Sequence, residues 1–250
     1  MNATVASLTR RSLLGRRRTI VLLLLPLALL ALCTLARILA GLDPNIAREL
    51  DHTLAPNLLG AFGIAVLMPL LSLIAGTGSI GPEIDEGSIV YLLAKPLNRY
   101  SIVVTKLLVA VGVVVAFGVI PIAVAGVVLT GEVGAVTVGH MLGALAGGTA
   151  YAAVFLLLAV LTKNAVVLGL IYALIWESLV GGLVPGAQTL SVQQWSTAVV
   201  EKVLGTSAPA LGVQSAVGFP LGITLLVVVT VAATAYAGRR LQTVRIGESD

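Results

Sequence analysis

Ser79–Tyr100 reads SIGPEIDEGSIVYLLAKPLNRY. It is the one long segment between apolar runs that holds three carboxylates close together: Glu83, Asp85 and Glu86. The pattern predicts a helix. Pro82 suits a first helical turn, where a missing N–H costs nothing. The three acids then lie near the positive end of the helix dipole and Lys95 near the negative end. Pro96 stops the helix. From Pro82 to Lys95 there are about 14 residues, ~21 Å at helical rise. That is too short and too charged to cross a bilayer. The segment is expected to lie at a membrane surface, with its acidic end turned to a soluble partner.

Composition explains why a membrane is expected. The 250 residues are 58% hydrophobic and only 10% charged, with a mean hydropathy of +1.07. A soluble domain carries about 25% charged residues. The chain therefore reads as an all-α integral membrane protein. Its net charge of +4 and pI near 9.5 would suggest nucleic acid in a soluble protein. Here basic residues gather at loops that set topology, and no basic stripe is interleaved with aromatics, so nucleic-acid binding is set aside. Cys33 is the sole cysteine. That rules out a disulfide within the chain and speaks against a thiol metal site.

Six apolar spans flank the opening stretch. They are expected at about Thr19–Ala40, Asn57–Gly76, Ser101–Leu129, Val138–Leu161, Ala165–Val184 and Phe219–Ala237. Arg10, Arg11, Arg16, Arg17 and Arg18 precede the first. With Val5, Leu8, Leu13 and Leu14 they suggest an interfacial helix over residues 1–18. Thr9–Leu14 looks like a twin-arginine export signal. The run behind it is long enough to span, so an uncleaved first span is expected. Leu42–Pro56 reads as a polar loop, Pro185–Gly218 as a long connection and Gly238–Asp250 as a basic tail. Twelve of the fifteen Lys and Arg residues fall on the side of the termini and the Ser79–Tyr100 segment. The positive-inside rule then places that segment and both termini in the cytoplasm.

Gly76–Gly81 matches GxGxxG, but an apolar span precedes it where a dinucleotide site needs a strand, so it reads as a flexible span exit. No GxxxxGK[ST] occurs, so the chain has no phosphate-binding loop. Gly139, Gly143 and Gly147 recur every four residues on span four. Small residues at that spacing let two helix backbones approach, within the chain or across a dimer. Glu177 lies inside span five, ~18 Å from its start. A carboxylate at that depth marks a substrate path or gate, or else a structural cap. Arg37 and His140 are its candidate partners. Two histidines without clustered acids or thiols make no metal site. Val192, Trp195, Val199 and Val203 predict an amphipathic helix on the outer surface, with Trp195 at headgroup level. No HExxH, GxSxG or intramembrane Asp pair is present, so no catalytic residues are assigned.

Glu83–Lys106 resembles the permease subunits of ABC-2-type exporters. That family's pattern runs acid-x-x-Gly-Thr, Leu-Leu, Pro, Ser-Arg and then Lys. Here it reads Glu83-Ile84-Asp85-Glu86-Gly87-Ser88, Leu92-Leu93, Pro96, Asn98-Arg99 and Lys106, with Ser88 for Thr and Asn98 for Ser. Trp176-Glu177, the Pro185-Gly186 exit and the six-span plan are also similar. The resemblance implies one permease domain over residues 1–250, with residues 79–100 as a cytoplasmic coupling helix between spans two and three. Glu83, Asp85, Glu86 and Gly87 would dock on a separate ABC ATPase subunit. ATP and Mg would sit on that subunit, with no cofactor bound by this chain. It also implies a second permease copy, a homodimer or heterodimer in the plasma membrane, and an exporter of undefined substrate. An ion-gradient-driven secondary transporter or channel is the main alternative, and it predicts paired intramembrane charges or an internal repeat. A non-transporting scaffold is the third.

Overall fold

Long apolar runs without water must satisfy their own backbone, and the helix is the single-segment way to do so. The computed structural model describes residue 9 and residues 16–85, 98–180 and 186–243, and every regular element among them is helical. The α-helices of six or more residues are, in order, α1 (Arg16–Leu42), α2 (Pro44–Glu49), α3 (Met68–Asp85), α4 (Arg99–Val114), α5 (Ile120–Thr130), α6 (Ala135–Leu161), α7 (Ala165–Ile171), α8 (Val192–Leu204) and α9 (Phe219–Thr243). Among the described residues, five stretches are long and apolar enough to cross a membrane: Leu22–Leu42, Ala55–Ile84, Arg99–Thr130, Ala135–Leu161 and Phe219–Gln242. The fifth expected span is a shorter apolar helix, Ala165–Glu177, whose turns continue through Tyr172–Val180. Of the expected interfacial helix, Thr9 is described, helical and buried; residues 1–8 and 10–15 lie outside the described residues.

Three local readings are corrected. Leu42–Pro56 is helical rather than a loop. Asp43 caps α2, its Oδ1 accepting from the Asn45 N–H at 2.8 Å with Pro44 in the first turn. Widened turns then carry the chain into the second span. The second correction concerns Pro82, which lies inside α3 and does not start a new helix. Gly76–Gly81 is helical as well. A Cβ on Gly76 would stand 2.8 Å from the Ala152 carbonyl of α6, so this glycine permits a close helix crossing and is no flexible exit. Third, the helix in the Pro185–Gly218 connection is α8, and its apolar face is buried in the bundle rather than laid on a surface. Trp195 is 4% exposed, and its indole N–H donates to the Thr189 carbonyl at 2.8 Å.

The bundle is organised on α6. Helices α3, α8 and α9 pack along its length, and α4, α5 and α7 fill the remaining sides. Glycine and alanine on α6 make this crowding feasible. At one end, Gly131 ends α5 in the left-handed region at φ 78°, and its N–H reaches the Val127 carbonyl, a helix stop glycine adopts without strain. The α2 and Gly205–Gly218 segments share this end, called here the loop end. The other end carries Glu83, Arg99, Lys163, Arg239 and Arg240 and is called the basic end. Helix α1 is peripheral, with Leu24, Leu27, Leu35 and Ile38 more than half exposed. In a bilayer that face meets lipid.

Candidate functional site

The basic end is tied together by one buried cation. Lys106 on α4 is 1% exposed. Its Nζ donates to Glu83 Oε1 at 2.7 Å, to the Ser79 carbonyl at 2.7 Å and to Thr9 Oγ1 at 3.4 Å. Three donors thus reach three chain segments, which uses all the hydrogen-bonding capacity of an ammonium. Asn98 caps α4, with its Oδ1 accepting from the Tyr100 N–H at 3.0 Å. Lys106 lies two turns further along. Pro82 removes a rung of the α3 ladder, and Lys106 braces the same turn from outside through Ser79. The end of span two, the start of span three and the N-terminal segment are therefore joined at one point.

The four residues expected to dock a partner fall differently. Glu83 is on α3, with an exposure of 18%, and is paired with Lys106. Asp85 ends α3. Glu86 and Gly87 lie outside the described residues. Sequence reading missed Lys106 as a partner of Glu83, although the resemblance quoted both. The signal was a lone lysine within an apolar run, whose charge needs a carboxylate in reach.

A second buried charge sits near mid-depth. Glu177 is 2% exposed. It lies 12 residues beyond Ala165, ~18 Å at helical rise, against a hydrocarbon core of ~30 Å. Its Oε1 accepts from the Tyr172 hydroxyl at 3.0 Å and from the Val192 N–H at 3.1 Å. Oε2 accepts from the Ser191 hydroxyl by a short bond and from the Gln193 N–H at 3.4 Å. Tyr151 of α6 faces the same carboxylate. Ser191 is the N-cap of α8. Glu177 therefore seals the positive end of α8 deep in the bundle, where unpaired N–H groups would be costly. Neither expected partner reaches it. Arg37 donates to the Leu129 carbonyl at 3.3 Å, and His140 Nδ1 meets the Val136 carbonyl at 2.8 Å. The sequence cue to the true arrangement was Ser191, an N-cap type directly before an amphipathic run.

Gly139, Gly143 and Gly147 face α8. A Cβ on Gly139 would stand 2.8 Å from the end of the Leu204 side chain, whereas one on Gly143 would stand 2.9 Å from the Ser196 carbonyl. Gly147 opposes Ser196, whose hydroxyl donates to the Val192 carbonyl. A leucine tip can move and a helix carbonyl cannot. Overpacking by Gly143→Ala costs toward the upper part of the usual range of about 1–3 kcal/mol, because the obstacle is backbone. That outweighs the ~1 kcal/mol helix-propensity gain of alanine, so a net loss of about 1–2 kcal/mol is expected. Gly139→Ala is expected to cost less. Thermal unfolding of the two variants in detergent checks the order, and equal or reversed effects would contradict it.

A polar cavity of about 190 Å³ opens toward the loop end between span two, α6 and α8. Asn57, His140, Gln193, Gln194 and Gln214 contribute to its lining. No group of three or more metal-ligating side chains occurs among the described residues. The arrangement thus offers two structural joints, one at the basic end and one at mid-depth, and a hydrophilic recess between them and the loop end.

Comparison with known proteins gives one match. No curated protein and no solved structure matches the chain. The family described as ABC-2 family transporter protein matches residues 14–181. The matched region runs from α1 through Glu177 and includes Lys106, Glu83 and Ser79 of the junction, with Thr9 lying just before it. It covers more than half of the chain and takes in the segment whose motif resembles that family, so this multi-pass membrane protein belongs to the ABC-2 family of transporter permeases.

Proposed function

We propose that the chain is the membrane-spanning subunit of an ATP-driven exporter, with hydrolysis on a separate ATPase subunit. The observation that carries this reading is the Lys106 junction. It lies directly before the acidic segment Asp85–Gly87 and joins two spans and the N-terminal segment at one buried point. A push on residues 86–97 would then be delivered to several helices at once. In this reading Asp85, Glu86 and Gly87 dock on the ATPase, and Glu83, held by Lys106, ties the docking end to the bundle. The basic end is cytoplasmic, the chain crosses the plasma membrane six times, and two permease copies form the path. Glu177 acts as a joint that carries the movement of α7 to α8. An ion-gradient mechanism is the weaker reading, because the carboxylate of Glu177 is already engaged by several protein donors.

Exposed ion pairs contribute about 0–1 kcal/mol each, so docking needs several, and reversing one charge both deletes a pair and adds a repulsion. Glu86→Lys is expected to lower co-purification with an ATP-binding subunit and to cut stimulated ATPase activity roughly tenfold, ~1.4 kcal/mol. The proposal fails if the chain never associates with such a subunit and Glu86→Lys leaves transport intact.

A further inference from the structure

The seam between α6 and α9 is open to the outside along most of its length. Toward the loop end it holds a groove of about 530 Å³, walled by Leu145, Ala146, Val199, Phe219, Ile223 and Val227 among others. Toward the basic end it holds a second of about 560 Å³, walled by Val154, Leu157, Val229, Ala232 and Tyr236. Each groove ends in a cation, Lys202 in the first and Arg239 in the second. Neither cation has a carboxylate at ion-pair distance among the described residues. The nearest acid in sequence, Glu201, is turned away and accepts from the Ser215 N–H at 3.0 Å. The threonines of the seam are turned inward too. Thr149 donates to the Leu145 carbonyl and Thr230 to the Leu226 carbonyl, both at 2.7 Å, which leaves their methyls for the groove.

Dimensions match one leaflet per groove. Phe219 to Val231 is 12 residues, ~18 Å at helical rise, and half of a hydrocarbon core is ~15 Å. An apolar trough of that length with a cation at its mouth is complementary to an acyl chain carrying an anionic head. Among the described residues Lys202 is one of three basic residues toward the loop end, with Arg37 and Arg48, and topology gives no reason for a cation there. We propose that the α6–α9 seam binds anionic phospholipid, one molecule in each leaflet, with the phosphates at Lys202 and Arg239. This does not depend on the transport reading. A lipid wedged at each end would brace α8 and α9 against α6.

The test uses the full chain reconstituted in vesicles of equal phosphatidylglycerol and phosphatidylcholine, re-extracted, with retained lipid counted by native mass spectrometry. Phosphatidylglycerol is expected to be retained over phosphatidylcholine. Each basic residue near an anionic lipid contributes about 1 kcal/mol. Lys202→Gln and Arg239→Gln should therefore each lower that preference about fivefold at the groove concerned, and the double variant about fivefold at both. Ala146→Phe fills the loop-end groove without changing charge, and should remove one retained lipid. Equal retention of the two lipids would overturn the proposal, as would a double variant that keeps the preference. So would retention indifferent to Ala146→Phe, which would leave only a charged surface. Cross-linking of Leu145→Cys between two copies at full occupancy would overturn it as well, because protein would then fill the groove.

Discussion

Glu177→Ala is expected to destabilise the protein by at least ~3 kcal/mol. The carboxylate accepts from the Tyr172 and Ser191 hydroxyls and from the Val192 and Gln193 N–H groups. Alanine removes the acceptor and leaves the Ser191 and Val192 donors buried, with those of Tyr172 and Gln193 part-buried. Each orphaned donor costs about 1–3 kcal/mol, and at mid-depth no water is at hand to replace the partner. Glu177→Gln keeps one acceptor oxygen but sets an NH₂ against the same N–H groups, so an intermediate loss is expected. Ser191→Ala removes the N-cap alone, at about 1 kcal/mol. Because both side chains serve one helix end, the double variant should cost less than the two losses added. Thermal unfolding in detergent reads all four. A Glu177→Ala protein within ~0.5 kcal/mol of wild type, the range of an ordinary surface substitution, would refute the joint.

At the basic end the expected result is an asymmetry. Glu83→Ala should cost about 3–5 kcal/mol, the range for removing one partner of a buried pair. It leaves Lys106 without its counter-ion at 1% exposure. Lys106→Met should cost less. The abandoned Glu83 is 18% exposed and can recover water, while methionine suits the apolar surroundings of position 106. The double variant Glu83→Ala/Lys106→Met should regain much of the loss, since replacing both members by apolar groups is often near neutral. Stability tests the pair, and ATPase stimulation tests what the pair does. If the junction carries the coupling movement, the double variant folds but stays uncoupled. Full coupling in a stable double variant would leave the junction a purely structural one.

The two charges show what a chain of this composition discloses. Apolar run length is a one-dimensional property. Thr19, Ser101 and Phe219 could therefore be read as span starts to within a few residues of Arg16, Arg99 and Phe219, where the helices begin. The glycine spacing on α6 was equally legible as a close contact. Its partner was not, because Val200 and Ser196 lie far along the chain on another helix and nothing in the spacing points to them. Pro82 misled for a local reason. Proline ordinarily ends or starts a helix in water, but inside a bundle a neighbour can brace the weakened turn, and Lys106 does so through Ser79. Trp195 misled because amphipathic spacing marks an interfacial helix and a half-polar buried one alike. The polar face of α8 meets Glu177, Ser215 and the cavity rather than bulk water.

The sequence by itself determined that the chain is an apolar helical membrane protein, with most of its basic residues gathered at one end and with the ABC-2 motif around Glu83–Lys106. Tertiary structure alone decided where the few remaining charges go. Burying an ion without a partner is too costly to leave to chance, yet each partner is supplied by another segment: Glu83 and Thr9 for Lys106, and the N-terminus of α8 for Glu177. Those pairings exist only once the helices have packed.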